Sequence, residues 1–463
     1  MIRLKVGLAG VYRPLFKGDK LGVFARSVEA LRLLARDLDF ELHPAGRPAS
    51  NLEEAQAAAR EMQVAKVDLL LLQMSSFCGG EALAPFVQDQ TPLGLWAVPE
   101  PAASGPLPLN SLCGLNLYAS LLGRKQQKRR AFKWFYGLPD DESFISRIRV
   151  AVQALKAKKA LASARIGLVG GHAPGFDNLA VDKRELAAHL GAQVFEHTVA
   201  ELLDRARCVP DDAAQSLAND MRQQASACTC PAAHIVEVAR FKIALKGMAS
   251  RHGYDALAVR CWPEVPEKAG VMICAGMGGV SDTLPTACEG DVLGAAAMIA
   301  LKELSKSPPM LVDLSHVDEK DQSVLMWHCG NSPLCWADET GARLECHFNR
   351  DTMGVVRSMV FRSGPATVFQ LSGNGSTAFA FSGRFLGATK PSFDGSRGWM
   401  GGMKLEGAPL AVRDLLNTIF VRRLPHHFPI GAGDLTEEIA ELCGWLGLQT
   451  VPTVPYRAAM QRP

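Results

Sequence analysis

No stretch of this 463-residue chain reaches the roughly 18 consecutive apolar residues that a membrane-spanning helix needs, although 48% of it is hydrophobic. The opening, M-I-R-L-K-V-G-L-A-G, lacks the long apolar core and small-residue cleavage site of an export signal, so a cytoplasmic location is expected. Twelve cysteines are scattered without a disulfide-like framework, which predicts reduced thiols. Cys228 and Cys230, in S-A-C-T-C-P, have no second pair at zinc-finger spacing, so a structural zinc is not expected there. Net charge is only +3. The one basic cluster, Arg124 to Arg130, is too short to follow a phosphate track and reads as a solvated helix face, which argues against a nucleic-acid partner. Neither G-x-G-x-x-G nor a P-loop lysine is present, so a nucleotide cofactor has no support, and H-E-x-x-H is missing too.

What is there is a folded chain of about two to four domains with ample core. Residues 1–162 alternate apolar runs with helical patterns. Leu4–Gly10, Val67–Gln73 and Pro92–Val98 read as buried parallel strands, each followed by a polar or Gly/Pro-rich turn. The pattern restarts at Ala162 with A-S-A-R-I-G-L-V-G-G. Gln193–Thr198 and Ala256–Arg260 supply further strands, with helices such as Val181–Leu190 between them. Lys5–Gly10 (K-V-G-L-A-G) and Arg165–Gly170 (R-I-G-L-V-G) resemble each other, which predicts two similar doubly wound α/β domains, 1–162 and 163–285. From 286 to 463 a third, β-rich domain is expected. There Met310–Leu314, Thr367–Leu371 and Thr377–Ser382 read as short strands of an antiparallel sheet or barrel, and Phe428–Leu448 closes the chain with a helical pattern.

Ligands in open α/β sheets bind beyond the carboxyl ends of strands, so the segments after strands are the places to look. Glu264, in C-W-P-E-V, follows the strand Ala256–Arg260. Glu289 and Asp291, in T-A-C-E-G-D-V-L-G-A, stand at the mouth of an apolar helix, where acids also serve simply as caps. His426 and His427 lie in a loop fixed by Pro425 and Pro429. Carboxylate, carboxylate and imidazole at element ends form an O/O/N set that suits Mn²⁺ or another divalent first-row ion with open positions.

The order W-P-E, then C-E-G-D-V-L-G-A, then H-C-G-N, then P-H-H-F-P-I-G-A-G-D resembles the L-fucose isomerase family, with kinship to L-arabinose isomerase. The resemblance covers nearly the whole chain and implies two Rossmann-like domains before a β-rich, barrel-like C-terminal domain. It further implies a Mn²⁺-dependent aldose–ketose isomerase of carbohydrate metabolism, working as a homo-oligomer, hexamer or trimer. Its metal ligands fall on Glu264, Asp291 and His427 (or its neighbour His426). Glu264 and Asp291 double as acid/base groups, and Glu289 stands behind them. Substrate contacts are expected of Arg13, reaching a neighbouring subunit's site, of His328 and Asn331 in a turn after the strand Val324–Met326, and of Arg397 and Trp399 in S-F-D-G-S-R-G-W. The chain is shorter than typical members and lacks recognisable fucose contacts, which leaves the sugar open: a pentose, a deoxy sugar, a modified hexose or an anionic derivative.

Two rivals differ in class. A non-catalytic sugar-binding protein of paired α/β domains has no use for a His–His motif. Another carbohydrate-processing metalloenzyme, a hydrolase or epimerase, is the other; a hydrolase usually needs a metal-activated water and more histidines than this chain groups.

Overall fold

The structure, a computed structural model, describes residues 3–124, 131–348 and 353–462. Most of the basic cluster, residues 125–130, lies outside them. The chain forms two compact units, residues 1–156 and 157–463.

The first unit is a five-stranded sheet of β1 (Leu4–Val11), β2 (Phe40–Pro44), β3 (Leu69–Met74), β4 (Leu93–Ala97) and β5 (Phe132–Tyr136), in the order 2-1-3-4-5. Every pairing is parallel. The inner strands read L-L-L-L-Q-M and L-G-L-W-A and are buried throughout, as expected where helices cover both faces. The helix Val23–Asp37 buries Val23, Phe24, Ser27, Val28, Leu31, Leu34 and Ala35, one face at helical spacing. Asn51 starts the next helix, Leu52–Ala65, by accepting the Glu54 N–H.

The second unit begins with a parallel sheet of β6 (Arg165–Val169) and β7 (Gln193–His197), joined later by β9 (Ala256–Val259) and β10 (Thr286–Cys288) in the order β10-β9-β6-β7. The helix Lys183–Leu190 is capped by Asp182, and Val199–Arg207 by a Thr198/Glu201 capping box. The short β8 (Ala227–Cys228) pairs instead with β13 (Arg343–Glu345), at one end of an eleven-stranded sheet.

Six strands of that sheet close on themselves. β11 (Met310–Asp318), β12 (Ser323–His328), β17 (Ser396–Leu405), β16 (Thr377–Phe385), β15 (Gly364–Ser372) and β19 (His427–Ala432) pair in that order, and β19 returns to β11. Every junction is antiparallel, so the expected barrel is present as a six-stranded ring. Its inner faces alternate along the strands and share one core: Met310 and Val312, Val324 and Met326, Ala366 and Val368, Phe379 and Phe381, Phe428 and Ile430. Each large side chain so buried contributes roughly 1.5–3 kcal/mol. β14 (Val356–Val360), β18 (Ala408–Pro409) and β20 (Gln449–Thr450) complete the sheet.

The helix Val292–Ser305 packs between these layers, touching β6, β9 and β10 on one side and β11, β15 and β19 on the other. It is buried all round from Val292 to Leu301, which explains its lack of a polar face. Gly431 allows the close approach, since a Cβ there would stand 2.9 Å from Leu301.

Three local readings need correction. His427 and Pro429 belong to β19 and not to a loop, because Met310–Asp313 pairs with them edge to edge. The closing helix therefore spans only Thr436–Leu446. His328 is the last residue of β12, not part of the following turn. Among the described residues, no helix is long and apolar enough to cross a membrane. All twelve cysteines are free thiols.

Candidate active site

The site grows from the end of β10. After Cys288 the chain turns left-handed at Glu289 (φ 59°) and Gly290 (φ 77°). A left-handed glutamate costs on the order of 1 kcal/mol, so its surroundings must hold it. They do: the Glu289 carbonyl accepts the Ala173 N–H at 2.9 Å, and a Cβ on Gly290 would stand 2.1 Å from the Gly171 carbonyl oxygen. The turn throws Glu289 away from Asp291, which then caps the helix Val292–Ser305 by accepting the Gly294 N–H at 2.7 Å.

Asp291 does more than cap. Its Oδ2 lies 3.0 Å from Nδ1 of His427, the first residue of β19, which is only 2% exposed. An ionised carboxylate only accepts, so His427 Nδ1 carries the proton and Nε2 is aimed the other way. Around Nε2 stand Glu289 Oε2 at 3.4 Å, Cys288 Sγ at 3.7 Å and Asp313 Oδ1 at 4.0 Å. Asp313 is directly opposite His427 in the β11–β19 ladder, which is why it points to the same side. His426 places Nε2 3.3 Å from Glu289 Oε2 and pairs through Nδ1 with Asn178 at 2.9 Å. Trp262 Nε1–H donates to Glu289 Oε1 at 3.3 Å.

Charges in this cluster perturb one another. Burial favours a neutral Glu289, but the hydrogen bonds from His426 and His427 outweigh it and hold the carboxyl well below its usual range. Burial likewise opposes a charge on His427, yet Cys288, Asp291 and Glu289 raise its pKa well above that of an ordinary imidazole. Asp313 is different: burial dominates and pushes its carboxyl up. Among the described residues its Oδ1 is buried without a hydrogen-bond partner, as is Oε2 of Glu264. A carboxylate oxygen in that position is costly unless a cation meets it.

Glu289, His426 and His427 offer ligand atoms all within 4.8 Å of one another, as do Cys288, His328 and His427. The chain thus contains buried and half-buried groups able to hold a metal ion, and O/N donors beside a buried carboxylate oxygen fit a divalent one. Beside them opens a cavity of about 350 Å³, lined by Trp262, Met277, Cys288, Glu289, His328 and Asn331, among others. That is enough room for a small sugar.

The expected site residues fall out as follows. Asp291, Glu289, His426 and His427 come together. His328 joins them, its Nε2 3.0 Å from Cys288 Sγ, and it lines the cavity. Asn331 lines it too, with Oδ1 buried and, among the described residues, without a hydrogen-bond partner. Arg357 clamps that loop: it pairs with both oxygens of Asp282 at 2.9 and 2.8 Å and reaches the Ser332 carbonyl at 3.3 Å. Glu264 opens the short helix Glu264–Ala269 and pairs through Oε1 with Arg260 at 2.6 Å; it is in none of the ligand groups found among the described residues. Arg397 donates to Ser392, Ser358 and the Gly395 carbonyl, and among the described residues it forms no ion pair. Ser392 lines a second cavity, of about 510 Å³, with Trp327 and Phe348. Trp327 stacks on His328 and Phe348 on His347, so neighbouring residues wall both cavities. Trp399 lies buried with the Lys390 ammonium 3.7 Å over its ring. Arg13 belongs to the first unit, where its backbone N–H donates to Ser76 Oγ.

Sequence reasoning missed Asp313 and Cys288. For Asp313 a signal existed: it is a lone acid in the strand M-L-V-D-L, on the face opposite Val312. Cys288 gave none, because the cysteine that opens C-E-G-D reads equally well as core.

No protein-family model matches the chain. It is similar to the sulfoquinovose isomerase of Priestia aryabhattai, 29% identical over 407 residues covering 87% of this chain and 89% of that one. The sulfoquinovose isomerases of Alkalicoccus urumqiensis (27% over 381 residues, 81% and 84%) and of Clostridium sp. strain MSTE9 (26% over 391 residues, 82% and 85%) are similar too. The relatives carry the activity expected from the sequence, that of an aldose–ketose isomerase, but are named for a sugar other than L-fucose.

Proposed function

We propose that the chain interconverts the aldose and ketose forms of a sulfonated hexose, sulfoquinovose, with a divalent ion, Mn²⁺ by preference, bound beside His427. The observation that carries this reading is the His427 imidazole, fixed by Asp291 on one nitrogen and facing Glu289 and Asp313 with the other, beside a sugar-sized cavity. The relatives' shared name supports the substrate.

Glu289, His427 and Asp313 would hold the ion, with His426 within reach. Bound there, it supplies Lewis-acid polarisation of a carbonyl and stabilises negative charge developing on the sugar oxygens. The remaining work falls to the chain. Asp291 holds the Nδ1–H of His427, which leaves Nε2 as the nitrogen that faces the acids and gives up its proton as an ion binds. Glu264, with one oxygen held by Arg260 and the other without a hydrogen bond among the described residues, is our candidate to take a proton from one sugar carbon and return it to the next. This differs from the ligand set implied by the family resemblance, because both Asp291 oxygens already have partners. His328 and Asn331 would contact sugar hydroxyls from the cavity wall. Arg397, whose guanidinium forms no ion pair among the described residues, would meet the sulfonate with its planar fork, which suits such oxygens. Arg13 would complete the pocket of a neighbouring copy in a homo-oligomer.

The test is direct. Manganese-loaded protein is incubated with sulfoquinovose, and with glucose as the unsulfonated control, and the ketose is measured. We expect conversion of the sulfonated sugar, with kcat/KM falling on Arg397→Met for that sugar more than for glucose. Equal turnover of both sugars, or none of either, would sink the substrate assignment.

A further inference from the structure

A second group of potential ligands lies outside the His427 cluster and takes no part in the chemistry above. Cys274, Cys329 and His347 bring Sγ, Sγ and an imidazole nitrogen to within 4.8 Å of one another, two of them buried and Cys329 half-buried. Three separate elements deliver them. Cys274 opens the helix Cys274–Ser281, Cys329 follows β12, and His347 follows β13. All three line the wall of the 350 Å³ cavity. The surroundings are apolar and rich in sulfur, with Met272, Met353 and Val356 packed against Cys274 and Cys329.

Buried thiols alone are usually small hydrophobes. An imidazole set against two of them, with no carboxylate in the group, is a different donor set. We propose that Cys274, Cys329 and His347 form a soft-metal site, for Zn²⁺ or Cd²⁺, with its fourth position open to the cavity. Two donors on one tetrahedral zinc stand roughly 3.5–3.8 Å apart, a small closure from the distances here. Thiolates select such ions over Mn²⁺, whereas the carboxylate and imidazole donors around His427 suit the harder ion. The molecule then sorts two metals by donor chemistry. Each donor binds in its deprotonated form, so any proton that Cys274, Cys329 or His347 carries leaves to solvent as the ion binds.

The experiment titrates reduced, full-length protein with Cd²⁺, in the presence of saturating Mn²⁺, and follows the thiolate-to-cadmium charge-transfer band. One equivalent should saturate the band, and Cys274→Ser or Cys329→Ser should lose it. Cys288→Ser, altered in the His427 group, should keep it. In the unmodified chain, where folding of variants is not in question, cadmium should protect Cys329 from alkylation as read by peptide mass spectrometry. Absence of the band, its loss in Cys288→Ser but not in Cys274→Ser, or full alkylation of Cys329 with cadmium bound would each overturn the proposal. None of these readouts uses sugar turnover, so they stand or fall apart from the isomerase reading.

Discussion

Lys5–Gly10 and Arg165–Gly170 are nearly the same sentence, K-V-G-L-A-G and R-I-G-L-V-G, and each makes the first strand of a parallel sheet. Within the strands they behave alike. Gly7 leaves room for Met62, whose sulfur would stand 2.6 Å from an added Cβ, and Gly167 does the same for the Tyr254 ring, also at 2.6 Å. Beyond the strands they part. β1 continues through Gly10 to Val11, whereas β6 stops at Val169 and the chain turns left-handed at Gly170 and Gly171 (φ 87° and 75°). That turn brings the Gly171 carbonyl against Gly290 and so braces the strained Glu289. All three ligand groups among the described residues lie in the second unit. One strand recipe thus builds both sheets, and the few residues after it decide whether chemistry follows.

The sharpest way to break this contrast is at the braced turn. Glu289→Gln should abolish bound Mn²⁺ and turnover together while the circular dichroism spectrum stays native, since the amide keeps the shape and loses the charge. Asp291→Asn should be milder. Asparagine still caps the helix, but it cannot hold His427 as a carboxylate does, and loss of such a supporting partner typically weakens metal affinity about 10–100-fold. Metal analysis of the two variants decides between them. A metal-free Asp291→Asn beside a loaded Glu289→Gln would exchange the roles of the two acids.

Much of this was legible in the sequence and some was not. Buried parallel strands announce themselves as unbroken apolar runs such as L-L-L-L, and the barrel by short alternating strands between glycines. The acids of C-E-G-D and the histidine pair stood out together, because carboxylates and imidazoles at several element ends form one ligand set, although a single acid at a helix mouth also serves as a cap. Strand ends were harder. β16 runs three residues past Ser382, because a barrel strand ends where its neighbours do rather than where its own pattern stops. Asp313 escaped because its partner, His427, is over a hundred residues away in sequence and only the β11–β19 register pairs them.

The two in-strand glycines offer a smaller test. Gly167→Ala should destabilise the fold by roughly 1–3 kcal/mol, because overpacking forces the Tyr254 ring to shift. Gly7→Ala should cost less, since the nearest atom there is the flexible end of a methionine. Thermal unfolding of both variants gives the ranking, and a larger loss at Gly7 would contradict it.

Smallest of all should be the effect of the first unit on metal. Arg13→Ala is expected to leave Mn²⁺ content unchanged and to raise KM, through a neighbouring copy in the oligomer. If sedimentation finds a fully active monomer, Arg13 has no role in trans.

The most direct measurement is hydrogen exchange with solvent during turnover. Manganese-loaded protein converts sulfoquinovose in D₂O, and deuterium at the sugar's C1 and C2 is read by NMR. Proton transfer through a side-chain carboxylate predicts deuterium in the product. It also predicts a rate about 10²–10⁴-fold lower in Glu264→Gln, the usual cost of losing a positioned base. Product formed rapidly with no solvent deuterium, or a Glu264→Gln variant as fast as the unaltered chain, would contradict it.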